Sequence, residues 1–169
     1  AGVLGRSGTP IASWFMNEAD LIIALGTSFA NHTGIERGKP IIQVDFERMQ
    51  LGKFHPVQLP IWGEIGAFCQ AISPRLARSG EADDQLEELT VRWQMWRDEK
   101  RTRLSEDRGQ GVHSAAVFDA LSRLCDDDAI IAVDVGNNTY SFGRYFETKG
   151  QRVLMSGYLG SIGFGFPAA

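Results

Sequence analysis

Cysteine is nearly absent from this chain: Cys69 and Cys125 are the only two in 169 residues, with no CxxC spacing and no nearby histidine. That argues against a disulfide framework or a thiolate metal site, and predicts two buried free thiols. Histidine is equally sparse. His32 and His55 stand alone, without the serine, cysteine or aspartate partners of a catalytic triad. Positive charge is not in excess either, with 17 Lys and Arg against 21 Asp and Glu and a net charge of −4. With no basic cluster interleaved with aromatics, a nucleic-acid partner is not expected. Long apolar runs are missing as well. A membrane span needs ~20 predominantly apolar residues. The one long uncharged stretch, Val153 to Ala169, holds four glycines, two serines and a proline, so it reads as buried backbone. The same stretch lacks the lysine of a phosphate-binding P-loop. Asp126-Asp127-Asp128 lacks the longer spaced oxygens of a calcium loop and reads as a solvated turn.

What is present has the composition of a soluble globular protein, 43% hydrophobic and 22% charged. Thr9-Pro10 is a helix-start signal, with a helix expected over Ile11–Ala19. Leu21–Leu25, closed by Gly26, and Pro40–Val44, ending at Asp45, are continuous apolar runs. Both suit strands covered on two faces, as in a parallel sheet. Thr27–Gly38 is a polar loop. Glu47–Phe54 is predicted as a short helix, and Val57–Ile61 as a third strand that Pro60 confines to an edge. A helix over Gly63–Ile72 would present Ile65, Phe68, Cys69 and Ile72 on one face.

Ser73–Asp84 has the polarity of a linker. Over Asp84–Glu106, Leu86, Leu89, Trp93 and Trp96 recur at helical spacing, as a packing stripe or, alternatively, an aromatic box for a ligand. Arg108–Gly111 breaks that helix, and Val112–Leu124 is amphipathic. A strand from Ala129, a helix near Thr139–Phe146 and a strand Arg152–Met155 follow. Strands alternating with helices give an α/β class, a partial doubly wound parallel sheet followed by the beginning of a second α/β domain. The expected organisation is 1–78 as the C-terminal half of a Rossmann-like domain, 79–111 as a linker with an amphipathic helix, and 112–169 as a truncated second domain. The opening at Ala1 without Met or a signal-like segment, and the stop at Pro167-Ala-Ala one turn into a helix, suggest a piece of a larger chain.

The chemistry is concentrated in the last third. Asp134-Val-Gly-Asn-Asn138 follows an apolar strand, so its asparagines fall where the next helix begins. Exposed N–H groups and the positive helix end suit a phosphate there. The segment Ser156-Gly-Tyr-Leu-Gly-Ser-Ile-Gly-Phe-Gly-Phe-Pro-Ala-Ala169 places glycines at 157, 160, 163 and 165 around one large aliphatic side chain, Ile162. Glycine permits close backbone approach to a ligand or positive φ. Close helix–strand packing and helix capping are the plainer purpose for the same residues.

These two motifs, with Leu4-Gly-Arg-Ser-Gly-Thr9, Glu18-Ala-Asp-Leu-Ile-Ile-Ala-Leu-Gly26 and Pro40-Ile-Ile-Gln-Val-Asp45 in that order, resemble the thiamine-diphosphate enzymes of the acetolactate synthase, pyruvate oxidase and benzoylformate decarboxylase group. The resemblance is weakest over about Ser79–Gly111. It implies the end of that family's central domain and the start of its diphosphate-binding domain. It further implies a Mg2+-dependent decarboxylase or carboligase acting on a small-molecule 2-oxo acid, and a homodimer or homotetramer when intact. A cytoplasmic protein is expected from the free thiols and the absence of a targeting segment.

By the same resemblance Asn137 and Asn138 would face the diphosphate as side-chain donors, with Gly136 beside them. Gly160, Ser161 and Ile162 would meet the pyrimidine, through the Gly160 carbonyl, the Ile162 N–H and the Ile162 side chain as a wedge. The family often has Met at the wedge, and acetolactate synthases have Gln-His where this chain has Asn-Asn. The family's metal motif would lie beyond Ala169 and its activating glutamate before Ala1, so the piece alone is expected neither to bind the cofactor usefully nor to catalyse. FAD is a further expectation, with Gly26 and Asp45 at strand ends where such folds hold ligands. Against it, Ser28 and His32 replace arginines common in flavin-binding relatives. A non-catalytic Rossmann-like nucleotide-binding or regulatory module is the rival reading.

Overall fold

A computed structural model describes residues 1–27, 33–76, 82–107, 109–157 and 159–169, with the backbone alone at 82–84. Ser28 and His32 therefore lie outside the described residues. The fold is α/β, with two all-parallel sheets whose strands alternate with helices. The chain divides into two compact units, Trp14–Glu88 and Ala1–Ser13 with Leu89–Ala169.

In the first, α1 (Pro10–Glu18) leads to a sheet of β1 (Ile22–Leu25), β2 (Ile41–Asp45) and β3 (Leu59–Trp62), in that spatial order. Pairing is Ile22 to Ile41 and Ile42 to Leu59. The central strand β2 fits the two-face expectation, with Ile41, Gln43, Val44 and Asp45 all buried. β1 departs from it: Ala24 is 3% exposed, but its neighbours Ile23 and Leu25 on the opposite face are exposed. As an edge strand it gains sheet neighbours on one side only. Pro60 sits on the other edge strand, where a missing N–H costs no ladder bond.

The helix expected over Glu47–Phe54 reduces to a single 3-10 turn, Arg48–Gln50. Buried Gln43 accounts for this. Its amide donates to the Gln50 carbonyl and accepts from Gly52 N–H, at 3.0 and 2.9 Å, and Gly52 has φ +70°. Those claims on the backbone satisfy a buried amide at the expense of further helical turns. Helix α2 (Ile65–Ile72) is capped by Glu64, whose carboxylate accepts from Gly66 and Ala67 N–H. Ile65, Phe68, Cys69 and Ile72 form its half-buried face, as expected. Lys39 closes the end of α1 by donating to the carbonyls of Asn17 and Ala19.

In the second unit, α3 (Ala82–Leu104) contributes residues from Leu89 onward, followed by α4 (Ser114–Leu124), β4 (Ile130–Val133), α5 (Asn137–Tyr145), β5 (Arg152–Met155) and α6 (Gly165–Ala168). Strands β4 and β5 pair in parallel with Val133 opposite Met155. Val133, Phe142 and Phe146 form the core, with Phe118, Ile131 and Val153 against it. Trp93 and Trp96 meet edge to face, 5.4 Å between centroids, rather than as opposed walls of an aromatic box. Trp96 is buried, while Leu86 of the expected stripe is 65% exposed. The stripe continues to buried Lys100, paired with Asp119 at 2.8 Å and Glu147 at 3.1 Å.

Two further expectations are corrected here. Cys69 and Cys125 are free but only half-buried, each being on a helix or helix end with one side open. The uncharged C-terminal stretch is not buried backbone: Leu159, Ile162 and Phe166 are 80%, 84% and 92% exposed. Their side chains find no covering element among the described residues. No helix among those residues is long and apolar enough to cross a membrane.

Candidate functional site

The turn after β4 is organised by a residue to which the sequence reading assigned no role. Asp134 Oδ1 accepts from Val135 N–H at 2.7 Å and from Gly163 N–H, 29 residues onward, at 2.8 Å. The Val135 bond foremost, helped by those of Gly163, Gly165 and Phe164, holds its pKa below the ordinary aspartate value against a partial desolvation that works the other way. One carboxylate thus joins the Asp-Val-Gly-Asn-Asn turn to the glycine-rich loop.

The same residue anchors helix α5 through its carbonyl. Thr139 Oγ1 and Asn138 Nδ2 donate to it at 2.5 and 3.0 Å. Asn138 is therefore folded back against its own turn, its amide oxygen close above Gly136. The helix N-cap is Gly136, at φ +147°, and no side chain caps the first turn. The plainer reading of the asparagines, as side-chain caps of this helix, is not met. Asn137 and Asn138 are both exposed, and no side chain accepts from the first turn of this nine-residue helix, where Thr139 N–H donates to the Gly136 carbonyl at 3.1 Å.

Gly165 explains how closely the two segments approach. A Cβ there would lie 2.9 Å from Asp134 Cβ and 3.0 Å from its backbone nitrogen. Gly160 and Gly163 have φ of +61° and +92°, the left-handed region that glycine enters without strain. Gly160 N–H donates to the Ser156 carbonyl and Ser161 N–H to Ser156 Oγ. The loop is thereby closed on itself, with Ile162 at its outer edge.

The structure brings Gly136, Asn137 and Asn138 to one helix start and ties the loop of Gly160, Ser161 and Ile162 to it through Asp134. It does not enclose Ile162. An apolar cavity of about 360 Å³ has Asp134, Asn138, Phe142, Gly165 and Phe166 among its walls, but Ile162 is not one of them. The side chain that the resemblance makes a wedge therefore stands exposed, with no cavity around it among the described residues. The signal that could have found Asp134 was its position: an acidic residue closing a parallel strand, before a turn that needs an N–H acceptor.

Whether the residues suit the cofactor rests on their donor set. Uncapped N–H groups at the start of α5 suit the oxygens of a diphosphate. Asp134 is spent on backbone N–H groups, which reduces its repulsion of such an anion. The residues present fit the diphosphate half of the cofactor. No group of three or more His, Cys, Asp or Glu side chains arranged for a metal occurs among the described residues.

Residues 1–72 match the family model described as thiamine pyrophosphate enzyme, central domain. The acetolactate synthase isozyme 3 large subunit of Escherichia coli is 29% identical over 177 residues, spanning 99% of this chain and 30% of that protein. The acetolactate synthase large subunit of Haemophilus influenzae is 31% identical over 176 residues, with 99% and 30% covered. Sulfoacetaldehyde acetyltransferase of Rhodobacter capsulatus is 26% identical over 195 residues, with 99% and 33% covered. The chain spans about a third or less of the length of these curated relatives.

Proposed function

We propose, from the match of residues 1–72 to the family model described as thiamine pyrophosphate enzyme, central domain, that the chain is part of a thiamine-diphosphate- and Mg2+-dependent enzyme. Its reaction is decarboxylation of a 2-oxo acid, ligation of the resulting carbon fragment to an acceptor, or both, as in acetolactate synthases. The observation that carries this reading is the 2.8 Å bond from Gly163 N–H to Asp134. It holds the solvent-exposed start of α5 beside a loop whose glycines leave main chain exposed.

In this reading Gly136, Asn137 and Asn138 hold diphosphate oxygens through N–H groups at the positive end of α5. The Gly160 carbonyl and Ile162 N–H orient the pyrimidine, Ser161 flanks them, and the Ile162 side chain props the cofactor. When bound, thiamine diphosphate supplies the carbon nucleophile for the keto group and takes up the electron pair left as CO2 departs. The chain's own part is orientation: Asp134 fixes the spacing of the two loops, and Ile162 meets the ligand with an exposed aliphatic surface. Mg2+, the acceptor and the oligomeric assembly belong to the same proposal.

The test is CO2 release from pyruvate and longer 2-oxo acids by the full-length protein, with thiamine diphosphate and Mg2+ added. Activity is expected with both, and Ile162→Ala is expected to lower kcat about a hundredfold, as for a displacement of about 1 Å in a reacting group. Asn137→Pro removes one of those α5 N–H groups at the first helical position, where proline is tolerated, and is expected to weaken cofactor binding as read by calorimetry. A full-length protein that binds no thiamine diphosphate in the presence of Mg2+ sinks the reading. A visible flavin spectrum in the same preparation would add FAD to it.

A further inference from the structure

The start of the chain is pinned against α5, and the result is a strongly cationic cleft. Thr9 organises the first residues: its N–H donates to the Val3 carbonyl, its hydroxyl to the Ala1 carbonyl, and that hydroxyl also accepts from Ala12 N–H. On α5, Gly143 leaves room for this segment. A Cβ there would stand only 1.9 Å from the Ser7 carbonyl oxygen. The contact sets Arg6 beside Arg144, and both line a cleft of about 390 Å³ with Arg103, His113, Ser114, Ser141 and Tyr140.

The polar groups of this cleft are almost all donors. Arg6 and Arg144 are exposed and make no ion pair or hydrogen bond with any described residue. Arg103 is held in place by Glu99, which binds its Nε and Nη2. His113 Nδ1 accepts from Ala115 N–H at 2.9 Å, which leaves Nε2 as the position for a proton. Ser114 and Ser141 hydroxyls meet at 3.2 Å and can reorient toward a ligand. The nearby acids lie outside the lining: Glu99 is taken by Arg103, and Glu106 stands 3.9 Å from His113 Nε2.

Arg103 is compensated by Glu99, but Arg6 and Arg144 share the cleft with no lining carboxylate, and a multiply charged oxyanion relieves their repulsion. Planar guanidinium forks match phosphate and carboxylate oxygens in pairs. We infer that this cleft is a binding site for a small, multiply charged oxyanion, a phosphate ester or a polycarboxylate, with Arg6 and Arg144 as its principal contacts. Its polar walls and modest volume select a compact, hydrophilic molecule over one with a large apolar body.

Calorimetry on the full chain, in EDTA so that a metal-dependent diphosphate site stays silent, would use pyrophosphate and citrate as probes at fixed ionic strength. Saturable binding of at least one is expected, with the stronger probe naming the source. Arg6→Gln and Arg144→Gln should each weaken it about tenfold or more, while Arg123→Gln, outside the cleft, leaves it unchanged. Equal loss in all three variants, or no binding of either probe, overturns the inference. Should a variant fold poorly, arginine modification by phenylglyoxal in the unaltered protein decides the matter. The stronger probe must protect Arg6 and Arg144 but not Arg123, and equal rates with and without it overturn the site.

Discussion

Each unit has a parallel strand that runs directly into an aspartate, and the two aspartates do different work. Asp45 ends β2 and its Oδ1 accepts from Glu47 N–H, two residues on, at 2.8 Å. It closes its own turn. Asp134 follows β4 and accepts both from its immediate neighbour and from Gly163, 29 residues away. The residue type and the place in the motif are shared; the reach is not. A carboxylate at a strand end satisfies local backbone by default. It becomes a tie between loops only when a second segment brings N–H groups within hydrogen-bond distance. In this chain glycine permits that approach, since a Cβ at Gly165 would collide with Asp134 itself.

The largest effect should come from breaking that approach. Gly165→Ala puts a methyl group 2.9 Å from Asp134 Cβ and 3.0 Å from its nitrogen. Part of the obstacle is main chain, so overpacking of about 1–3 kcal/mol is expected. The counterpart in the other unit is Gly26→Ala, where the obstacle is the Ile65 Cδ1 tip at 2.4 Å. A side-chain tip can swing away, so the cost is mainly that of alanine at φ +58°, about 1 kcal/mol. Urea denaturation of both variants checks the order. A cost at Gly26 equal to or above that at Gly165 would remove close backbone approach as the basis of the contrast.

Removing the carboxylates sharpens it further. In Asp134→Ala the Gly163 amide loses its acceptor, and its hydrogen exchange should quicken roughly tenfold or more, although Gly163 lies far off in sequence. In Asp45→Ala the change should be confined to Glu47 and its neighbours, with a loss of about 1 kcal/mol. Amide exchange read residue by residue distinguishes a tie from a local cap. Unchanged exchange at Gly163 in the Asp134 variant would mean that the glycine loop holds itself in place.

Most of the elements could be read from the chain because they follow local rules. Pro10 at a helix start, the apolar runs of β1, β2 and β4, Pro60 at an edge and the span of β5 all came out as expected. What escaped depends on partners remote in sequence. The turn at Arg48–Gln50 is short because of Gln43, and residues 1–13 join the unit of 89–169, where Gly143 receives Ser7. Both motifs of the candidate site were recognisable, and their conjunction was inferred from their order. The residue that joins them was not, because an aspartate after a strand gives no hint that its second donor lies 29 residues away.

The smallest effect is the response to acid, and it can be followed separately in each unit. Glu64 in the first unit is held below the ordinary glutamate value by the Gly66 and then the Ala67 N–H. Asp134 in the second is lowered chiefly by Val135. A folded-state pKa below the unfolded one contributes stability that is fully present above the unfolded value, about 4 for a carboxylate. That contribution fades as pH falls through the lower, folded value. Both groups are well solvated, so each contribution is modest and each transition should lie below the ordinary value for its residue type. Amide shifts of Gly66 and Ala67 should follow Glu64, and those of Val135 and Gly163 should move together with Asp134. Asp134→Asn keeps an oxygen acceptor but removes the titration, so it should flatten the second pair and leave the first intact. Independent inflections at Val135 and Gly163 would show that two groups, not one shared carboxylate, control the two loops.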